Sequence, residues 1–165
     1  MTTQIKINPE LDLVLERTTS VKPELLYRAW TEPKHLPHWF CPKPWRTTEC
    51  EIDLRPGGKF YTVMEGPSGE RHPGTGCYLE IIPNRKLVWT SALTTGYRPQ
   101  ARAENGADML FTAVLMFEPH QDGTKYTAIA MHPDAKTCRA HAEMGFQEGW
   151  GAVFDQLVEY TKTMK

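Results

Sequence analysis

Apolar and polar positions alternate with period two over several short stretches of this chain, then with helical period over one long stretch at its end. Leu11, Leu13 and Leu15 alternate with Asp12, Val14 and Glu16, which predicts a first strand. Pro23 suits the first position of a helix, with Val21 and Leu26 placed as a hydrophobic staple across its start. Leu26, Ala29 and Trp30 come next at helical spacing. Thr31 is placed to cap a second short turn through Leu36, which Pro37 ends. Two short helices are therefore expected after the first strand.

Thr48, Cys50, Ile52 and Leu54 then alternate with Glu49, Glu51 and Asp53, giving a strand from Arg46 to Leu54 with one dry face and one acidic, wet face. Arg55-Pro56-Gly57-Gly58 reads as a tight reversal, because proline presets one dihedral and glycine accepts positive φ. Phe60 to Met64 returns, and Gly66-Pro67-Ser68-Gly69 ends it. Gly74 to Ile82 is a further strand, broken by Pro83-Asn84. Lys86 to Ala92 is the next, with Leu87 and Trp89 on one face. Leu110 to Phe117 is apolar on both faces. Asp122-Gly123 signals a hairpin into Thr124 to Met131. The stretch from Leu93 to Asp108 has no periodicity, and a connection of that length in a compact domain is mobile or functional.

After His132-Pro133, Asp134 can cap a helix. Ala142, Phe146, Gly149, Val153, Leu157 and Tyr160 mark one face of it, with Trp150 and Phe154 alongside. The pattern predicts one helix from Asp134 to Thr161, roughly 40 Å long at about 1.5 Å per residue. Gly145, Gly149 and Gly151 fall inside it, and each costs a helix about 1 kcal/mol against alanine. Either the helix approaches the sheet too closely for side chains there, or its middle is thinned to leave room. A curved sheet touching a straight helix at its ends and gaping at its centre would accommodate both.

At 165 residues the chain is expected to form one domain over residues 1–165, with a polar, flexible start over 1–10. It can bury roughly two-thirds of its unfolded surface, enough for a core without disulfides. A formal net charge of -1 gives no electrostatic case for nucleic acid or an anionic membrane. No stretch approaches ~20 apolar residues, so no membrane insertion is expected, and the first ten residues have no signal-peptide pattern. Four cysteines, at 41, 50, 77 and 138, match neither a zinc clip nor a redox pair, which points to reduced thiols and a cytoplasmic location. Five tryptophans and seven methionines make ordinary core, and large adaptable side chains also line ligand cavities.

Four stretches carry a resemblance, in order, over nearly the whole chain. They are Ala29-Trp30-Thr31-Glu32-Pro33, Cys50-Glu51-Ile52-Asp53-Leu54-Arg55-Pro56-Gly57-Gly58-Lys59-Phe60, the run from Gly76-Cys77-Tyr78-Leu79 through Pro83-Asn84-Arg85-Lys86 to Trp89, and His141-Ala142-Glu143-Met144-Gly145-Phe146-Gln147-Glu148-Gly149-Trp150. Together they resemble a START-like family of the SRPBCC superfamily. That family is named for homologues of the activator of a heat-shock chaperone's ATPase and is also grouped with polyketide cyclases. The resemblance implies an α+β helix-grip fold: a curved antiparallel sheet of about six or seven strands around one long C-terminal helix, with a cavity between. It transfers no catalytic residue to this chain.

Candidate chemistry is thin. His35 and His38 lie three apart on a short helix without a third ligand, so no metal is expected. Cys138 and His141 could share a helix face, but no orienting third group is evident, and a core cysteine beside a surface histidine is the plainer reading. None of the three serines lies in a G-x-S-x-G elbow. Gly57-Gly58 precedes a strand rather than a helix, which argues against a phosphate loop. Glu49, Glu51 and Asp53 read as a solvated face, with Arg55 placed to pair with one of them. Tyr78, Glu80, Arg98 and Tyr126 could bring a polar group to a cavity, and alternation leaves the faces of Tyr78 and Glu80 open.

These features point first to a binding module for a small, largely apolar molecule, without cofactor. Trp30, Phe60, Met64, Trp89, Phe117, Tyr126, Trp150 and Phe154 are expected to line the site and residues 93–108 to act as a lid. A cyclase- or hydrolase-like enzyme is the second reading; it needs an inward acid or base, for which His72, Glu80 and His132 are the candidates. A chaperone-interacting module is the third, through a surface patch such as the doubly apolar strand, which could equally form a homodimer contact or be covered within the monomer.

Overall fold

A computed structural model describes residues 5–100 and 109–164. Among the described residues, nine strands and three helices succeed one another along the chain. They are β1 (Asp12–Thr19), α1 (Pro23–Thr31), a 3-10 turn (Leu36–His38), β2 (Arg46–Ile52), β3 (Lys59–Glu65), β4 (Arg71–Ile82), β5 (Lys86–Thr90), β6 (Leu93–Thr94), β7 (Arg98–Pro99), β8 (Thr112–His120), β9 (Gly123–Met131), α2 (Ala135–Glu143) and α3 (Phe146–Thr161), with a further 3-10 turn (Thr95–Tyr97) joining β6 to β7. Seven strands form one sheet in the order β1-β9-β8-β5-β4-β3-β2, antiparallel throughout, and β6 and β7 make a separate small ribbon. This is the α+β helix-grip architecture. No described helix is long and apolar enough to cross a membrane.

Local sequence accounts for the element ends. Pro23 opens α1 without a side-chain cap. Glu32, before Pro33, is extended (φ −101°, ψ 122°) and stops it, as the residue before proline should. Thr31 is the last residue of α1 and hydrogen-bonds back to the Tyr27 carbonyl, so it does not cap a second helix. In place of that helix the chain makes one 3-10 turn containing Pro37. The glycine turn after β2 is tight: a Cβ on Gly58 would lie 1.9 Å from the Asp53 carbonyl oxygen.

Two departures from simple periodicity shape the site. The single long helix is two. Met144 and Gly145 end α2, with Gly145 at φ +94° and its N–H on the Ala142 carbonyl, a left-handed cap that glycine adopts without steric penalty. The helical period continues across this break, which is why the pattern reads as one rod. α3 alone spans about 24 Å. The second departure is in β4. Register against β5 shifts between Tyr78 and Glu80, leaving Leu79 as the bulged residue. Tyr78 opposite Trp89 therefore joins the inner core, while Glu80 opposite Val88 falls on the outer face and pairs with Lys86 at 2.8 Å.

The core lies between the sheet's inner face and α1 and α3. It contains Leu15, Leu26, Trp39, Phe60, Tyr78, Leu87, Leu115, Phe117 and Leu157, all buried. A smaller cluster of Val88, Val114 and Ile129 covers the outer face, with Val14, Leu79, Met116 and Ile5 packed on it. The strand read as apolar on both faces thus serves both clusters, and Val114 is buried within the monomer. The acidic stripe on β2 and the turn after it is neutralised locally: Glu49 by Arg71, Glu51 by Lys59, Asp53 by Arg55.

Candidate functional site

Between α3 and the sheet lies a cavity of about 360 Å3. The sheet supplies Met64, Trp89 and Tyr126, from β3, β5 and β9. Trp30 of α1 and the 40–42 segment form one wall. His141, Met144 and Gly145 close the α2 end, and Phe146, Gly149, Trp150 and Val153 of α3 close the top. Among the described residues no Asp, Glu, Lys or Arg lines it. A Cβ built on Gly149 meets only Pro42 Cγ, at 4.0 Å, and one on Gly151 meets only Arg17 Nη2, at 3.5 Å. Neither glycine is required by close helix–sheet packing. Gly149 instead leaves open space on the cavity side.

Of the residues expected to line a site, Trp30, Met64, Trp89, Tyr126 and Trp150 are brought together here. Phe60, Phe117 and Phe154 are not at the cavity surface. Phe60 stacks on Tyr78 with ring centroids 5.3 Å apart, Phe117 meets Tyr27 edge-on at 6.1 Å, and Phe154 backs Tyr126 at 4.7 Å. They support the wall from behind. Sequence reasoning missed Phe40, Cys41 and Pro42, which lie in a segment without periodicity. It also missed Phe111, which immediately precedes β8, and His141 and Met144, which reach the cavity because the helix breaks after them. Gln156 of α3 ties the wall down: its Nε2 donates to the carbonyls of Trp39 (3.0 Å) and Cys41 (2.8 Å), and its Oε1 accepts from the Lys43 N–H (3.2 Å).

Residues 93–100 do not reach the cavity. Tyr97 lies against Gly57, and the Gly96 N–H bonds the Gly57 carbonyl at 2.8 Å, so this part of the expected lid packs on the glycine turn. The rest of that expectation, 101–108, lies outside the described residues. His72, on β4, is exposed and faces the Trp45 ring at 5.3 Å. His35 and His38 both engage Tyr160, His35 through a 2.7 Å contact of Nδ1 with the hydroxyl and His38 by stacking. His132 points inward, with Nδ1 on the Leu11 carbonyl (2.7 Å) and Nε2 on His141 Nδ1 (2.8 Å). His141 is thus engaged by His132 rather than by Cys138.

Electrostatically the site is neutral among the described residues. Burial, with the neighbouring His132 adding to it, pulls His141 down to about 4, so its imidazole is uncharged at neutral pH. Burial also pushes the Tyr126 phenol well above its ordinary range, against a smaller lowering by the Trp30 indole. That indole approaches the Tyr126 hydroxyl without reaching hydrogen-bond geometry, and its Nε1 is left without a partner. Burial raises the Cys41 thiol in the same way, so it is a poor nucleophile. A second, wider groove of about 820 Å3 runs over the outer sheet face, but Glu16, Arg85, Lys86, Glu118 and Lys125 line it and it has no comparable apolar enclosure.

Known proteins agree with this architecture. The profile described as "Activator of Hsp90 ATPase homolog 1-like protein" matches residues 20–162. A crystal structure of a protein from Nitrosomonas europaea is 46% identical, superposes with a TM-score of 0.89, and the match covers 95% of this chain and 97% of that one. A crystal structure from Rhodobacter sphaeroides (22% identity, TM-score 0.78, covering 98% and 99%) and a solution structure from Arthrobacter aurescens (21%, 0.78, 93% and 87%) share the fold. No curated protein matches the chain. From the extent of the profile match and the 46% identity over nearly full length, this chain belongs to the family of activator-of-Hsp90-ATPase-homolog-1-like proteins.

Proposed function

We propose that the protein binds a small, neutral, largely apolar molecule in the cavity between α3 and the sheet. The observation that supports this reading is a hollow of about 360 Å3 walled by Trp, Phe, Met and Tyr, with no charged side chain among the described residues, and left open by a glycine that packing does not require. Pockets that hold small ligands run from roughly 300 to 1,000 Å3, so this one suits a compact ligand of bicyclic size. A ligand burying roughly 200 Å2 of apolar surface gains about 5 kcal/mol from that area, and the costs of association come out of it, so affinity in about the millimolar range is expected. Native mass spectrometry of the purified protein, followed by a calorimetric screen of small lipids and aromatic polyketide-like compounds, tests it. Saturable, stoichiometric binding is expected. Absence of any adduct and of any binding heat across both compound classes would overturn it.

The enzyme reading has less support. Of its three candidate groups, His72 is exposed beside Trp45, Glu80 is paired with Lys86 on the outer face, and His132 has both ring nitrogens engaged. His141 does line the cavity, but a group that ionises near 4 is a weak base at neutral pH.

A further inference from the structure

Two histidines next to the cavity form one directed chain of hydrogen bonds. The Leu11 carbonyl accepts from the His132 backbone N–H at 3.0 Å and lies 2.7 Å from His132 Nδ1. A carbonyl has no proton to give, so Nδ1 of His132 carries one. In the neutral ring Nε2 is then a bare acceptor. His141 Nδ1, 2.8 Å away, must be the donor to it. A neutral imidazole has only one N–H, so the His141 proton is fixed on Nδ1 and its Nε2 keeps a free lone pair.

That lone pair has no partner among the described residues, and it is not one of the polar atoms sealed off completely within the core. The His141 ring is only 8% exposed, and it is packed by Phe111 (centroids 5.0 Å), Phe146 (5.4 Å) and Trp150 (6.0 Å), all of them cavity residues. The Tyr126 hydroxyl is the other polar group in this position. Its side chain lines the cavity and is 4% exposed, and its oxygen is likewise absent from the sealed, unpartnered atoms. Among the described residues the influences on the ionisation of His141 are burial and its histidine neighbour, and both favour the uncharged ring.

We propose that the His132–His141 pair gives the cavity a fixed hydrogen-bond polarity, so that its ligand is a neutral molecule bearing a hydroxyl, phenolic or alcoholic, that donates to His141 Nε2. This rests on the binding reading above and narrows it. A carboxylate ligand would set lone pair against lone pair with no cation to compensate its desolvation. An ether of the same shape would leave the imidazole nitrogen buried and unsatisfied. The Tyr126 hydroxyl can donate or accept and serves as the second polar anchor.

The test uses the wild-type protein and three probes of one shape: 2-naphthol, 2-methoxynaphthalene and 2-naphthoate. Calorimetry at neutral pH should find the naphthol bound about tenfold more tightly than the methoxy compound, with the carboxylate weakest. Equal affinities for naphthol and methoxynaphthalene would overturn this proposal and leave the apolar-binding reading standing. Failure of all three to bind would overturn this proposal, and the binding reading falls with it when the lipid and polyketide-like screen is also empty. Independently of any ligand, long-range 1H–15N correlation should find His141 protonated on Nδ1 and bare on Nε2; the opposite tautomer, or an imidazolium at neutral pH, would overturn it. His132→Phe removes the acceptor that orders the pair, and the preference for naphthol should shrink to under about threefold. An undiminished preference in a folded variant counts against the proposal, and the wild-type spectrum decides the matter if that variant does not fold.

Discussion

Replacing Gly149 by alanine should make the protein more stable and bind its ligand less well. Gly149 is the fourth residue of α3, and its N–H bonds the Gly145 carbonyl at 2.7 Å, so it occupies an ordinary helical position. Alanine there gains about 1 kcal/mol of helix propensity. The new methyl would find only Pro42 Cγ, at 4.0 Å, so no clash offsets this gain. Its partial burial adds up to about 0.8 kcal/mol. The expected stabilisation is therefore about 1–2 kcal/mol, a rise in Tm of about 2–8 °C for a domain of this size. It should appear as a higher denaturation midpoint at unchanged m-value. Gly149→Leu carries the same logic further, filling the hollow and abolishing binding of a naphthol-sized probe while the fold persists. Gly151→Ala is the control: its Cβ makes ordinary contact with Arg17 and lies outside the cavity, so it should stabilise without changing affinity. A destabilised Gly149→Ala would refute the claim that space is open at this position, and wild-type binding by Gly149→Leu would refute the cavity as the site.

Tyr78→Phe removes a hydroxyl that is buried without a partner, and should leave stability equal or up to about 1 kcal/mol higher by thermal unfolding; a loss above about 1 kcal/mol would mean that the hydroxyl is satisfied. Gly58→Ala forces a Cβ to 1.9 Å from the Asp53 carbonyl oxygen, so the turn must open, and a loss of about 3 kcal/mol or more is expected in denaturant titration; a neutral effect would refute the turn geometry. Stability should also fall as pH drops from 6.5 to 4. Burial holds His141 near 4 in the fold against 6.5 when free, so the unfolded chain binds more protons throughout that window. The loss approaches about 3 kcal/mol at the lower end, His35 adds in the same direction because burial lowers it too, and the slope should flatten in His141→Phe; a wild-type profile that stays level there contradicts the buried neutral imidazole.

Alternation along strands identifies the sheet's inward face but not the depth of each inward residue. Phe117 and Tyr126 face each other across β8 and β9, and period two marks both as inward. Only packing decides that Phe117 lies under Tyr27 while Tyr126 reaches open space. The bulge at Leu79 defeats alternation outright: Tyr78 and Glu80 are two apart and would share a face, yet the inserted residue sends them to opposite ones. Segment 40–42 lies outside any periodic run, so no sequence signal ties it to the cavity, whereas Phe111 falls in the run that is apolar on both faces and so shows no inward phase. The tryptophans at 30, 89 and 150 are legible because each is a large inward residue on an element with a clear phase.

The break at Gly145 has the widest consequence. Three glycines fall within seven residues, and the helical period runs through all of them, so propensity marks the segment as weak without saying which glycine ends the helix. Positive φ at Gly145 decides it. Had the helix continued straight, α2 would have extended α3 as one rod, and the α2 end would not have closed the cavity as it does. The break instead brings His141 within 2.8 Å of His132, whose own position is fixed where β9 ends beside Leu11. One backbone conformation available to glycine thus adds the His141 imidazole to a hollow lined mainly by aromatic and aliphatic side chains. Gly145→Ala, which must adopt that strained φ or straighten the corner, should therefore disturb the His141 ring resonances more than it disturbs the sheet.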